Sequence, residues 1–193
     1  LWTYKTGDQG VRSAPSYGEN LVFVGEYGGL LSILKPENGK KVNGGGAGGA
    51  INTPTIANGN VYYSSWDGSV QAVKINGIIP LWKTKIQDPI TTVPAVKNGV
   101  VAVGTVRGFV AAIDEKSGDI LWNFDTNNSG IVGNLEIADG LVFAGTSDHM
   151  LYGIDINAGR ARFDFQADGD INSNLLFYDG TLYFAGRSLY ALQ

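Results

Sequence analysis

The sequence predicts an all-β fold assembled from five copies of one four-stranded antiparallel unit. One phrase returns five times at a spacing of about forty residues. Tight Asn-Gly or Asp-Gly turns separate short aliphatic and aromatic runs, and no segment reads as a long helix. A fixed period near forty with four strand signals per unit is the mark of a β-propeller. The expected architecture is therefore a five-bladed β-propeller with four-stranded antiparallel blades.

Each element can be placed in turn. An outer-strand pair recurs as Leu1-Trp2, Val42-Asn43, Leu81-Trp82, Leu121-Trp122 and Arg162-Phe163, and an inner position recurs as Pro15, Pro54, Pro94, Asn134 and Asn174. The second strands read LVFVG (21–25), VYYSS (61–65), VVAVG (100–104), LVFAG (141–145) and LYFAG (182–186). The third strands read LLSIL (30–34), SVQAV (69–73), FVAAI (109–113), MLYGI (150–154) and SLYAL (188–192). Asn58-Gly59, Asn98-Gly99, Asp139-Gly140 and Asp179-Gly180 lie between strand runs, where a two-residue hairpin requires positive φ at both central residues.

The chain starts on an outer-strand signal, LWTYK, and stops on a third-strand signal. The expectation is that the N-terminal strand completes the last blade and closes the ring, covering an edge that would otherwise recruit other chains. With 193 residues and no linker or charge block, residues 1–193 read as one domain.

Composition removes several classes of function. A net charge of −4 leaves no basic face for phosphates, so nucleic acid is not an expected partner. No apolar run reaches the roughly 20 residues that span a bilayer as a helix. The absence of cysteine excludes disulfides, thiolate chemistry and zinc-thiolate sites.

The unit L-W…[ST]-P…[ND]-G-x-[VL]-[YF]-x-G…A-[ILV]-D-x-x-[ST]-G resembles the PQQ-like β-propeller repeat. Its clearest copy is ITTVPAVKNGVVAVGTVRGFVAAIDEKSGDILW (90–122), and the resemblance runs through the whole chain. It implies kinship with the bacterial outer-membrane assembly lipoproteins and with quinoprotein dehydrogenases. The dehydrogenases clamp their quinone with an adjacent-cysteine disulfide, which this cysteine-free chain cannot form, so no cofactor is expected. The scaffold members imply an extracytoplasmic location and a protein or extended ligand as partner, with the chain expected to be a monomer.

Trp2, Trp82 and Trp122, with Phe163 in the fourth copy, share one outer-strand position and read as wedges between blades. Trp66 is out of phase with them, in the turn SSWDGS beside Asp67. In a four-stranded blade the second-to-third-strand turns and the inter-blade loops emerge on one face. That face should carry Tyr27, Trp66, Asp67, Arg107, Asp148, His149 and Arg187, with Arg12, Asn52, Thr91 and Asn172 toward the channel mouth. Aromatic, amide and arginine side chains together are the composition of a binding surface. His149 also reads as a turn residue standing where Gly29, Gly68 and Gly108 stand in the other copies.

Catalysis finds little support. Glycoside cleavage needs two facing carboxylates, and the inner strands carry one, Glu136, whose equivalents are Ser16, Thr55, Ala95 and Leu176. The alternative to a protein-binding scaffold is a carbohydrate-binding or carbohydrate-cleaving propeller with Trp66 and Tyr27 as stacking platforms. The stretch DGDINSN (168–174) resembles the opening of a Ca²⁺ loop but lacks its later ligands. NGGGAGGA (43–50) should leave the second blade a thin, mobile outer edge, open to an added partner strand.

Overall fold

The computed structural model describes residues 1–11, 13–127 and 129–193. It contains nineteen strands among these residues, in five antiparallel sheets, and the chain divides into two compact units, Leu1–Val93 and Pro94–Gln193.

The first unit holds two blades. One is β1 (Ser16–Gly18), β2 (Leu21–Gly25), β3 (Leu30–Leu34) and β4 (Lys41–Gly46). The other is β5 (Thr55–Ala57), β6 (Asn60–Ser64), β7 (Ser69–Lys74) and β8 (Ile79–Lys85). Phe23, Leu31 and Ile33 of the first sheet pack with Val61, Tyr63, Val73 and Ile75 of the second, all essentially shielded from water. The inner strands β1 and β5 lie side by side, and Ala14 donates its N–H to Thr53 Oγ1 at 3.0 Å.

The second unit holds three sheets. They are β9 (Ala95–Lys97) to β12 (Ile120–Asp125), β13 (Glu136–Ala138) to β16 (Ala161–Gln166), and β17 (Leu176–Tyr178) to β19 (Leu189–Leu192). β10 (Val100–Gly104), β11 (Phe109–Asp114), β14 (Leu141–Gly145), β15 (Met150–Asp155) and β18 (Thr181–Ala185) are their middle strands. Small side chains at Ala102, Ala112 and Ala144 let the third and fourth sheets approach, while Phe143, Leu175, Leu182 and Phe184 fill the space between the fourth and fifth.

Turn chemistry sets this register. Asn58-Gly59, Asn98-Gly99, Asp139-Gly140 and Asp179-Gly180 all have positive φ at both residues, as two-residue hairpins require. Glu19-Asn20 does the same in the first blade with no glycine at all, at φ 50° and 56°. The Asp that opens the turn between third and outer strands, DEKSG (114–118) and DINAG (155–159), wraps its own loop. Asp114 Oδ1 accepts from the Lys116 and Ser117 N–H groups at 2.9 and 2.7 Å, and Asp155 Oδ1 accepts from Asn157 and Ala158 at 2.9 and 2.8 Å.

The Leu-Trp pair has a structural cause. Where the third and outer strands pair, the register slips by one residue in each of the four complete sheets. Ala112 faces Trp122 and Ile113 faces Ile120, so Leu121 is the extra residue of a bulge. Val42, Leu81 and Arg162 stand in the same place, and all four side chains are exposed.

Two expectations change. Residues 41–46 form a bulged but fully paired strand that ends the first sheet rather than leaving the second blade thin. Residues near Leu1 form no strand, and the last sheet has three strands among the described residues.

Trp2 nevertheless makes the same kind of contacts as Trp122. Trp2 Nε1 donates to Pro36 O at 2.7 Å and its ring lies on Gly39. Trp122 Nε1 likewise donates to Ile156 O at 2.7 Å, with its ring on Gly159. Each indole packs on the turn between a third strand and an outer strand.

Candidate functional site

The scaffold of the site is a backbone pattern that repeats. In three blades the segment before the inner strand bridges the turn after the second strand, at Val11↔Glu26, Ile51↔Ser65 and Ile131↔Thr146. The next N–H of each turn then bonds back: Tyr27 to Gly10 O at 3.0 Å, Trp66 to Ala50 O at 3.0 Å, and Ser147 to Gly130 O at 3.0 Å. The loop and the turn are thereby fixed to one another, and a side chain on the turn is presented by rigid backbone. Gly29 and Gly68 supply the positive φ that ends the turn, and a Cβ there would press within 2.5 and 2.4 Å of the Ala47 and Ile86 carbonyls.

In the first unit this brings together four of the residues expected on the face. Tyr27, Trp66, Asn52 and Thr91 line a cavity of about 260 Å³, joined by Ser13 and Thr53. Tyr27 is 44% and Trp66 53% exposed, high for aromatic side chains on ordered turns. Asn52 is committed to the wall. Its Nδ2 donates toward Ser64 Oγ at 3.0 Å and toward the Ile90 and Thr92 carbonyls at 3.0 and 3.2 Å.

Asp67 turns away from this cavity and holds its own loop. Its Oδ1 accepts from Ser69 N–H at 2.9 Å and Ser69 Oγ at 2.6 Å, and its Oδ2 accepts from Gly48 N–H at 2.8 Å. Lys85 adds an ion pair at 3.6 Å. Partial burial pushes this carboxyl up, but the Ser69, Gly48 and Ser65 hydrogen bonds outweigh it and hold the acid well below the usual carboxylate range.

In the second unit the expected residues form separate local arrangements. His149 occupies the glycine position of its turn with φ 73°, and its Nε2 stands 2.9 Å from Asp170 Oδ1. Asp148 Oδ1 accepts from Thr146 Oγ1 at 2.5 Å. Asn172 and Arg107 are exposed. Arg187 is exposed too, and its N–H is held by Asp168 Oδ1 at 2.8 Å. Arg12 lies outside the described residues.

The Ca²⁺-like stretch spends its first carboxylate internally. Asp168 Oδ1 also accepts from Ser188 N–H at 3.0 Å, and its Oδ2 accepts from Ser188 Oγ at 2.5 Å. The Ser188 hydroxyl and N–H are the main reason that Asp168 sits at about 2. Among the described residues no three His, Asp or Glu side chains gather closely enough to hold a metal ion. Glu136 is raised by burial, an effect the nearby Lys97 charge opposes.

Sequence reasoning left out Ser13 and Thr53 of the cavity wall, and Asp170 as the partner of His149. Ser13 had a detectable signal, since Ser173 stands at the equivalent point, three residues before its inner strand. Ser13 Oγ bonds Gly25 O at 2.8 Å and Ser173 Oγ bonds Ala185 O at 3.3 Å. Among the described residues no helix is long and apolar enough to cross a membrane.

Comparison with known proteins places this geometry in a family. The chain is 28% identical over 147 residues to the outer membrane protein assembly factor BamB of Burkholderia pseudomallei, covering 75% of this chain and 38% of that protein. Its fold superposes on the crystal structure of BamB from Moraxella catarrhalis with a TM-score of 0.79 at 18% identity, over 95% of this chain and 59% of that one. A quinohemoprotein alcohol dehydrogenase from Pseudomonas putida gives a TM-score of 0.78 at 16% identity, over 99% of this chain and 41% of that one. The chain thus spans less than two thirds of the length of each of these proteins. Residues 67–193, about two thirds of the chain, match the family model described as outer membrane protein assembly factor BamB, and this β-propeller of PQQ-like repeats belongs to that family.

Proposed function

We propose that this chain is a non-enzymatic scaffold domain that recognises a protein or extended ligand through its turn-bearing face, with Tyr27 and Trp66 as anchors and Asn52 and Thr91 lining the cavity between them. The observation that carries the reading is the pair of exposed aromatics held by backbone bonds at the rim of that cavity. Large aromatic side chains fixed in advance contribute area to an interface at little ordering cost. Similarity to the BamB assembly factors supports an extracytoplasmic partner from outer-membrane protein assembly. Arg107, His149, Asn172 and Arg187 are further polar contacts in this proposal, while Asp67 serves it by fixing the Trp66 turn.

A photo-crosslinking amino acid at position 27 or 66, in cells carrying the gene, should give adducts with an outer-membrane assembly protein, and the same group at Lys116 should give none. Folded protein with no adduct at 27 and 66 refutes the reading. Carbohydrate recognition is the second reading, favoured by the aromatic rim and the Ser13, Asn52 and Thr53 side chains at one cavity. Sugar hits on a glycan array that vanish in Trp66→Ala would replace the first reading with it.

The finer architecture belongs to the same proposal: five blades in a closed monomeric ring, with residues 1–5 completing the sheet of β17–β19. The placement of Trp2 against Pro36 and Gly39, matching that of Trp122, supports it. Deleting residues 1–6 should then strip hydrogen-exchange protection from the amides of β19, and unchanged protection would reject closure.

A further inference from the structure

The junction between the two blades of the first unit departs from the repeat at one point. The N–H groups of Ile51, Ile131 and Ile171 bond the carbonyls of Glu26, Thr105 and Thr146, each on the turn of the blade before, so these isoleucines are equivalent. Four residues separate Ile131 from β13 and Ile171 from β17, but three separate Ile51 from β5. The residue after the isoleucine differs as well. Val132 is 45% exposed and Asn172 is exposed, whereas Asn52 turns its amide into the wall. The loop is one residue short, and the cavity of about 260 Å³ opens over Asn52 and Thr53.

The hydrogen-bonding capacity left in this cavity is specific. The Ile90 and Thr92 carbonyls beside the Asn52 amide can only accept, so the atom facing them is Nδ2 and the opposite end is Oδ1. Among the described residues Oδ1 receives no hydrogen bond, which makes it an open acceptor. Thr53 Oγ1 accepts from the Ala14 N–H at 3.0 Å, and its own proton has no acceptor among the described residues. The Trp66 indole N–H is unused in the same sense. Every described side chain lining the cavity is uncharged.

One acceptor and two donors without charge call for a neutral group that donates and accepts at once. A carboxamide does both: its NH₂ can donate to Asn52 Oδ1, and its oxygen has two lone pairs for Thr53 and Trp66. A carboxylate would set oxygen against Oδ1, an ammonium would leave both donors unpaired, and an aliphatic group would strand all three. The volume is below the ~300–1,000 Å³ of a pocket that takes a whole drug-sized ligand, so it suits a single side chain. Tyr27 and Trp66 at the rim offer flat apolar ground to the residues on either side.

We infer that the cavity is a receptor for one uncharged carboxamide, the Asn or Gln side chain of an extended protein segment lying across Tyr27 and Trp66. The inference rests on the scaffold reading of this face and adds the residue type that the face selects. The probe is an uncharged, end-blocked seven-residue peptide of Ala and Ser with a central Gln, titrated into isotope-labelled protein. The Trp66 indole N–H, the Asn52 side-chain amide and the Thr53 amide should shift together. Glu or Leu in place of the central Gln should weaken binding by about tenfold or more, because the polar groups of the site are then left unpaired. Thr53→Val should weaken the Gln peptide, and Thr53→Ser, which keeps the hydroxyl, should restore it.

Equal affinity of the Glu or Leu peptide overturns the inference, as do shifts that miss Trp66 and Asn52 or no shift at millimolar peptide. An N-acetylglucosamine oligomer carries an amide too, and if it shifts Trp66 where the peptide does not, the cavity belongs to a sugar and the inference falls. Crosslinks at positions 27 and 66 alongside equal Gln and Leu affinities would sink the carboxamide alone. Gln selectivity without crosslinks would remove the outer-membrane partner alone, so the two readings fail separately.

Discussion

The outer strands β4 and β12 occupy the same place in the repeat and solve it in opposite ways. At β12 the strand supplies the bulk: Trp122 reaches over to the next blade, which leaves a glycine, Gly159, at φ 63° beneath the ring. At β4 the strand supplies almost nothing, and the next blade supplies the bulk through Ile78 at φ 50°. A β-branched residue in the left-handed region is costly. Ile78 holds that conformation while packing against the core of the first two sheets. The difference teaches that a wedge in this repeat is a two-residue property, shared between an outer strand and the turn of the following blade.

The largest test of this comparison is Trp122→Ala. It removes the indole and the Ile156 bond together, and a loss of about 3 kcal/mol is expected from urea unfolding. A loss below about 1 kcal/mol would mean that Trp122 is decoration.

Next comes the exchange of one solution for the other. Asn43→Trp should destabilise because the indole meets Ile78, and Ile78→Gly should lose packing. The double variant should recover stability with a coupling of about 1–3 kcal/mol. Additive effects within about 0.5 kcal/mol would break the equivalence of the two junctions.

A third test separates wedges from turn carboxylates. Indole packing carries no titrating group, so the Trp122→Ala loss should be the same at pH 7 and pH 5. Asp168 behaves otherwise. Its folded value near 2 lies below the unfolded value of about 3.9, so its contribution is present above pH 4 and is lost as pH falls toward 2. Asp168→Asn should flatten part of that acid limb, and an unchanged limb would show that Asp168 contributes nothing to it. The smallest effect is expected at Trp66→Ala, within about 0.5 kcal/mol, because the side chain is half exposed on a turn that Asp67 holds.

Much of the fold was legible because its signals are local. Asn-Gly and Asp-Gly turns, alternating strands and the outer Leu-Trp pair each declare themselves within a few residues. Glu19-Asn20 was not legible as a tight hairpin because neither residue is the glycine that such a turn usually demands.

At the candidate site, turn phase alone predicted the exposure of Trp66 and Tyr27. The commitment of Asp67 was hidden because its Gly48 partner lies 19 residues away on another loop. The make-up of the β4 junction was hidden for a similar reason. A glycine run announces missing side chains, but only the pairing with Ile78, 35 positions beyond Asn43, shows how much of the gap remains.

The bulge before each wedge has a consequence for life in a crowded compartment. Val42, Leu81, Leu121 and Arg162 stand unpaired at the rim, each breaking the even ladder of amides and carbonyls along an otherwise open border. A neighbouring molecule cannot extend such a border in continuous register. The one-residue slip that aims each wedge inward therefore also acts as a built-in guard against fibril growth.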